Sequence, residues 1–187
     1  MTVFTDGACL GNPGPGGWGW VVPGGRWANG AEAVTTNQRM ELTAVLEALR
    51  VVGPPIEVIS DSTYVVKCFD ERWWVGWLNR GWRNSSKKPV ANRDLWEPLV
   101  DLYRSAPDEV SFYWVKGHAG NKWNDIADRL ATKAARSQSG GSGDSLSGVD
   151  LDDFGPVSGL AAAGDSSDSD DLNLFGSEPP ADELKLF

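Results

Sequence analysis

Four carboxylates draw attention by where they fall. Asp6 closes a short β-branched and aromatic run, Thr2-Val3-Phe4-Thr5, and Asp61 closes another, Ile56-Glu57-Val58-Ile59-Ser60, so both are expected at strand ends. Glu41 lies at the margin of a helical apolar face made by Leu42, Val45, Leu46 and Leu49, and Asp128 lies in a last helix whose Ala127, Leu130, Ala131 and Ala134 point inward. If the four converge, like charges about 5 Å apart repel by roughly 3 kcal/mol at an effective dielectric near 20. Such a cluster needs cations to be stable. Oxygen ligands with no thiolate and one imidazole at most favour Mg²⁺ or Mn²⁺ over zinc. Two such ions in a carboxylate cage are suited to in-line displacement at phosphorus. Asp125 competes with Asp128 for the fourth place. His118, the one histidine, stands in Lys116-Gly117-His118-Ala119-Gly120, a loop that offers it little to pack against and so points to a functional imidazole.

The elements that must position these groups can be read in order. After Asp6 come glycines at 7, 11, 14, 16 and 17, read as a turn whose backbone approaches a ligand closely. Strands follow over 18–22 and 27–35, and with the first they make an antiparallel meander. A helix starts at Asn37 and ends at Gly53-Pro54-Pro55; the strand over 56–60 is short and apolar enough to be central. A helix begins near Ser62, another at Asn92 or Asp94 with Leu95, Leu99, Leu102 and Tyr103 inward, and a strand spans 110–115. The last helix runs from Asn121 to about Arg136. This order predicts an α/β fold, a five-stranded mixed sheet of three antiparallel and then two parallel strands, flanked by helices.

Residues 72–88 interleave Trp73, Trp74, Trp77 and Trp82 with Arg72, Arg80, Arg83, Lys87 and Lys88, with no acid after Glu71. A stretch so one-sided in sign points to an anionic partner. The competing reading puts the tryptophans in a core and the cations on a solvated face.

Composition divides the chain. All ten tryptophans lie between Trp18 and Trp123, whereas residues 137–187 carry eleven acids and one lysine, a net of −10 against −9 for the whole chain, which leaves residues 1–136 at +1. The acidic segment is too polar to offset the entropy of ordering and is expected to be disordered. The expected domains are therefore 1–136 and a tail over 137–187. Two cysteines, Cys9 and Cys68, are too few for a disulfide framework, and no apolar run reaches membrane-spanning length. A cytoplasmic monomer is expected.

Phe4-Thr5-Asp6-Gly7, Asn12-Pro13-Gly14-Pro15-Gly16-Gly17, Asn37-Gln38-Arg39-Met40-Glu41-Leu42, Asp61-Ser62, Lys116-Gly117-His118-Ala119-Gly120 and Asp128-Arg129-Leu130-Ala131 occur in the order in which they occur in bacterial type 1 ribonuclease H, and the resemblance covers residues 2–136. It implies a ribonuclease H-like fold and an endonuclease that cuts the RNA strand of RNA:DNA hybrids, leaving 5′-phosphate and 3′-hydroxyl ends. It gives Asp6, Glu41, Asp61 and Asp128 to two Mg²⁺ ions and His118 to proton transfer or product release. Cys9, Asn12, Asn37 and Gln38 match positions lining the minor groove of the hybrid. Trp73, Trp77, Arg80, Trp82, Arg83, Lys87 and Lys88 match a basic protrusion that tracks the DNA strand, and Thr36 matches a DNA phosphate pocket. An inactive hybrid-binding module would lack a carboxylate, and none is missing. A DNA-processing nuclease of the same fold resembles this chain less.

The tail ends in Ala181-Asp182-Glu183-Leu184-Lys185-Leu186-Phe187, with Asp170-Asp171-Leu172-Asn173-Leu174-Phe175 before it. The second repeats the theme of the first, and the segment resembles the acidic tips of bacterial single-stranded-DNA-binding proteins or short replication-partner motifs, which implies either docking to a protein partner through a pocket rimmed by Arg or Lys or a solubilising segment.

Overall fold

Alternation along the first strand sorts the molecule into layers. In the computed structural model, which describes residues 1–151, β1 (Thr2–Cys9) sends Val3 into a larger core and Phe4 into a smaller one. The two-residue period of a strand puts these on opposite faces. β1 pairs antiparallel with β2 (Gly14–Val21), and β2 with β3 (Trp27–Thr35). On the other side, β4 (Ile56–Ser60) and β5 (Val110–Trp114) add in parallel. The central place of β4, between β1 and β5, agrees with its apolar composition.

Helices α1 (Asn37–Val52), α2 (Thr63–Asp70), α3 (Trp73–Asn79) and α4 (Arg93–Ser105) supply the larger core, while α5 (Lys122–Ser137) covers the opposite face with Ala127 and Leu130. Local chemistry sets the ends of the two helices that matter most. Thr36 caps α1, its hydroxyl accepting from Arg39 N at 3.4 Å, and Gly53 closes it at φ 68°. Asn121 caps α5, accepting from the main-chain N–H groups of Trp123 and Asn124.

Two expectations need correcting. The glycines after Asp6 do not all form a turn, since residues 14–17 belong to β2. The bare faces of Gly7 and Gly17 admit helices. A Cβ on Gly7 would run into the main chain of Glu41, and one on Gly17 into the main chain of Ala131 and Ala135. The missing side chains thus let α1 and α5 seat Glu41 and Asp128 against the sheet.

The sheet also has six strands rather than five. β6 (Gly141–Gly143) pairs antiparallel with Trp27, Ala28 and Asn29 at the outer edge of β3. The side chain of Asn29 secures it, donating to Leu130 O at 2.8 Å and accepting from Gly141 N at 2.9 Å. Beyond the strand, Trp27 Nε1 donates to Ser145 O, Lys133 Nζ donates to Asp150 O, and Leu146, Val149 and Leu151 pack on the smaller core. Packing therefore continues past residue 136, because three spaced apolar residues and a glycine-rich edge suffice to cover an open strand. The average composition of a long acidic segment conceals them. Residues 152–187, including the expected docking segments at 170–175 and 181–187, lie outside the described residues. Among the described residues, no helix is long and apolar enough to cross a membrane.

Candidate active site

Asp6, Glu41 and Asp61 meet. Each offers one carboxylate oxygen, and the three oxygens lie within 4.8 Å of one another. Asp6 comes from β1, Asp61 from the residue after the parallel neighbour β4, and Glu41 from the second turn of α1. Asp6 and Glu41 are each only 7% exposed. Asp6 Oδ1 accepts from Gly7 N at 2.7 Å, and Glu41 Oε1 accepts from Asn37 Nδ2 at 3.4 Å. Glu41 Oε2 is buried without a hydrogen-bond partner.

Burial and mutual repulsion act together on these acids. Both Asp6 and Glu41 are held well above the usual carboxylate range, first by desolvation and then by neighbouring charges: Glu41, Asp61 and Asp128 for Asp6, and Asp61 and Asp128 for Glu41. Asp128, on α5, lies outside that group of three but close enough to act on Asp6 and Glu41 through its charge. Burial raises it too, Asp61 and Asp125 add to the rise, and His118 opposes it. Thr132, one turn further on, donates to Asp128 Oδ1 at 3.4 Å. A buried, unpaired carboxylate oxygen among like charges is the environment that a hard divalent cation relieves. The donor set is all oxygen, so the residues fit Mg²⁺ or Mn²⁺.

The other expected residues fall at the rim. Asn12 is exposed in the turn between β1 and β2, and its Oδ1 accepts from Asn37 N at 3.3 Å. Asn37 is exposed and Gln38 half-buried on the first turn of α1, and Thr36 is the cap residue just before them. Cys9 turns its thiol toward the carbonyls of Gly11 at 2.6 Å and Thr35 at 3.4 Å. Its side chain therefore fastens the turn that carries Asn12. His118 is exposed, with its backbone in the left-handed region at φ 51°. For a residue other than glycine that is a strained conformation.

The protrusion divides in two. Arg80, Arg83, Lys87 and Lys88 are exposed, and Trp73 is half-buried with Nε1 donating to Glu71 at 2.8 Å. Trp77 and Trp82 are not on this surface. They are 1% and 7% exposed and belong to the larger core, where the Trp77 ring lies 5.3 Å from that of Trp96. The resemblance gives both to the nucleic acid; their large apolar area takes them inside instead.

The sequence model of the RNase H family matches residues 1–136. A protein named Ribonuclease H from Syntrophomonas wolfei is 49% identical over 143 residues, covering 73% of this chain and 97% of that one. The chain belongs to the ribonuclease H family. A Ribonuclease H from Thermus thermophilus is 50% identical over 143 residues, covering 74% of this chain and 85% of its own. Among solved structures, LC9-RNase H1, a type 1 RNase H with the type 2 active-site motif, is similar with a TM-score of 0.65 at 34% identity, covering 86% of this chain and 82% of that one.

This ribonuclease H places one further residue at the site that the sequence reading passes over. Asn124 is 2% exposed and donates from Nδ2 to Asp61 Oδ2 at 3.1 Å. A signal was there. Asn124 falls three residues before Ala127 and seven before Ala131, on the inward stripe of α5, and an amide on an apolar stripe needs a polar partner.

Proposed function

We propose that this ribonuclease H hydrolyses the RNA strand of RNA:DNA hybrids with two divalent cations, Mg²⁺ or Mn²⁺, held by Asp6, Glu41, Asp61 and Asp128, and leaves 5′-phosphate and 3′-hydroxyl ends. The observation that carries it is the convergence of three buried or half-buried carboxylates, one of which, Glu41, has a buried oxygen without a hydrogen-bond partner, with Asp128 close enough to raise the pKa of Asp6 and Glu41. Ions held by these four carboxylates would supply a nucleophile from water near neutral pH and would stabilise charge on the leaving oxygen.

The protein's own groups account for orientation and selection. Asp6, Glu41 and Asp61 are preorganised by strand and helix backbone, so little is spent on rearrangement when substrate arrives. His118, on its exposed loop, is in electrostatic reach of Asp128 and is suited to carry a proton at its imidazole or to ease product departure. Asn12, Asn37 and Gln38 present short amides to the minor groove, where 2′-hydroxyls distinguish RNA from DNA. Asn37 both faces this rim and donates to Glu41, so reading of the ribose and placement of a cation ligand share one side chain. Trp73, Arg80, Arg83, Lys87 and Lys88 follow the DNA backbone. Thr36 contributes to a DNA phosphate pocket.

The test is incubation of the full chain with Mg²⁺ and end-labelled RNA:DNA, RNA:RNA and DNA:DNA duplexes. Cleavage confined to the RNA of the hybrid, with 5′-phosphate ends on the products, is expected. Cutting of DNA:DNA, or no cutting with any divalent cation, rules the proposal out.

A further inference from the structure

Asp61 is held differently from the other acids. Its main-chain carbonyl accepts from Trp114 Nε1 at 3.0 Å, its Oδ2 accepts from Asn124 Nδ2 at 3.1 Å, and a Cβ on Gly117 would stand 2.5 Å from that same Oδ2. These contacts bracket the loop that carries His118: Trp114 precedes it, Gly117 lies within it and Asn124 follows it. Val115 N donates to Ser60 O at 3.0 Å, which ties the root of the loop to the residue before Asp61.

Asn124 is the informative member. Its Oδ1 is buried and has no partner among the described residues. An unpaired buried acceptor is a cost to stability that leucine, of similar volume, does not carry. Stability alone therefore does not favour asparagine here. What asparagine supplies and leucine cannot is the N–H directed at Asp61. Gly117 acts on the same atom by a different route, because any side chain there would strike Oδ2.

We infer that Asn124 and Gly117 are positioning residues that close off Oδ2 of Asp61, so that this acid presents Oδ1 alone to the cation pocket and fastens the His118 loop to a metal ligand. The inference rests on the cation-site reading above. Neither residue touches substrate; both act through Asp61. A carboxylate freed from these constraints can rotate or engage an ion through both oxygens, and the pocket loses its defined geometry. Loss of an outer partner of this kind typically weakens metal affinity 10- to 100-fold.

The experiment is calorimetric titration of the full chain with Mn²⁺ in the absence of nucleic acid, for wild type, Asn124→Leu, Gly117→Ala and Asp61→Asn. It is accompanied by thermal unfolding in chelator and steady-state kinetics on a hybrid. Both positioning variants are expected to bind Mn²⁺ about tenfold or more weakly, with kcat reduced in step and KM for the hybrid unchanged. The unfolding midpoint of Asn124→Leu is expected at or above that of wild type, which a residue kept for structure would not give. Unchanged Mn²⁺ affinity and kcat in either variant overturns the inference, as does a lowered midpoint or loss of folding in Asn124→Leu. If wild type binds no Mn²⁺, or Asp61→Asn binds it as well as wild type, the cation-site reading itself fails. If Asp61→Asn loses the ion while the positioning variants keep it, only the inference fails.

Discussion

In the protrusion over residues 72–88, the rings go in and the charges go out. Trp77 and Trp82 are buried while Arg80, Arg83, Lys87 and Lys88 stay in water, and each side chain sits where transfer free energies would send it. The carboxylate pocket reverses this. Asp6 and Glu41 are taken out of water and set against other acids, and one Glu41 oxygen is left unpaired. A region that obeys the ordinary partition needs no ligand to be stable, whereas one that buries like charges side by side carries an excess of negative charge that protons or a cation must relieve. That contrast separates support from chemistry in this molecule.

The sharpest way to break the comparison is to remove one buried charge. Asp6→Asn or Asp61→Asn is expected to lower kcat roughly 10³-fold or more, since the cation ligands carry several kcal/mol of transition-state stabilisation, while KM for a labelled hybrid changes little. Activity close to wild type in either variant would remove the pocket from the reaction. The counterpart in the protrusion is Trp77→Ala, which removes a ring buried against Trp96 and Trp82. It should cost about 3–5 kcal/mol of stability in denaturant unfolding. If that variant instead loses hybrid affinity at unchanged stability, Trp77 belongs to the binding surface after all.

A smaller effect is expected of the exposed cations. Lys87→Ala and Lys88→Ala should leave stability within about 0.5 kcal/mol. Each should raise KM several-fold at low salt and reduce the salt dependence of binding by about one phosphate contact. A salt dependence identical to wild type would make these lysines a solvated face and nothing more.

The same contrast explains what could be read from the chain alone. Strand ends at Asp6 and Asp61, the stripe of α1 beside Glu41 and the inward alanines of α5 are local patterns, and they place the acids without reference to the fold. Whether a tryptophan is a core ring or a stacking platform is not local. It depends on what packs opposite, and Trp96, which covers Trp77, is nineteen residues away. The glycines of β2 misled for a like reason: a residue without a side chain looks the same whether a ligand or a helix fills the space. The inward place of Asn124 on α5 is a local pattern, but its partner, Asp61, is sixty-three residues distant and is not. β6 was lost within the average of an acidic segment, although Leu146, Val149 and Leu151 carry the apolar spacing that holds it down.

The smallest predicted effect tests the electrostatic half of the comparison. Asp6 and Glu41 are held above the usual carboxylate range, so in chelator the folded state binds their protons more tightly than the unfolded chain does. Stability from these groups is then greatest below the ordinary carboxylate range and declines as pH rises from there through the raised values. Asp94 works in the opposite sense, because Arg39 holds it below its usual value, but it is 62% exposed and its contribution is screened. Comparing wild type with Asp6→Asn cancels such background. At pH 4 the two should unfold at nearly the same temperature, since the acid is largely protonated. Toward pH 8 the variant should become the more stable, by on the order of a few degrees, and Mg²⁺ should narrow the gap by stabilising wild type. A difference that stays constant across pH, or that Mg²⁺ leaves untouched, would mean that the buried acids are not repelling one another and that the pocket is not built around a cation.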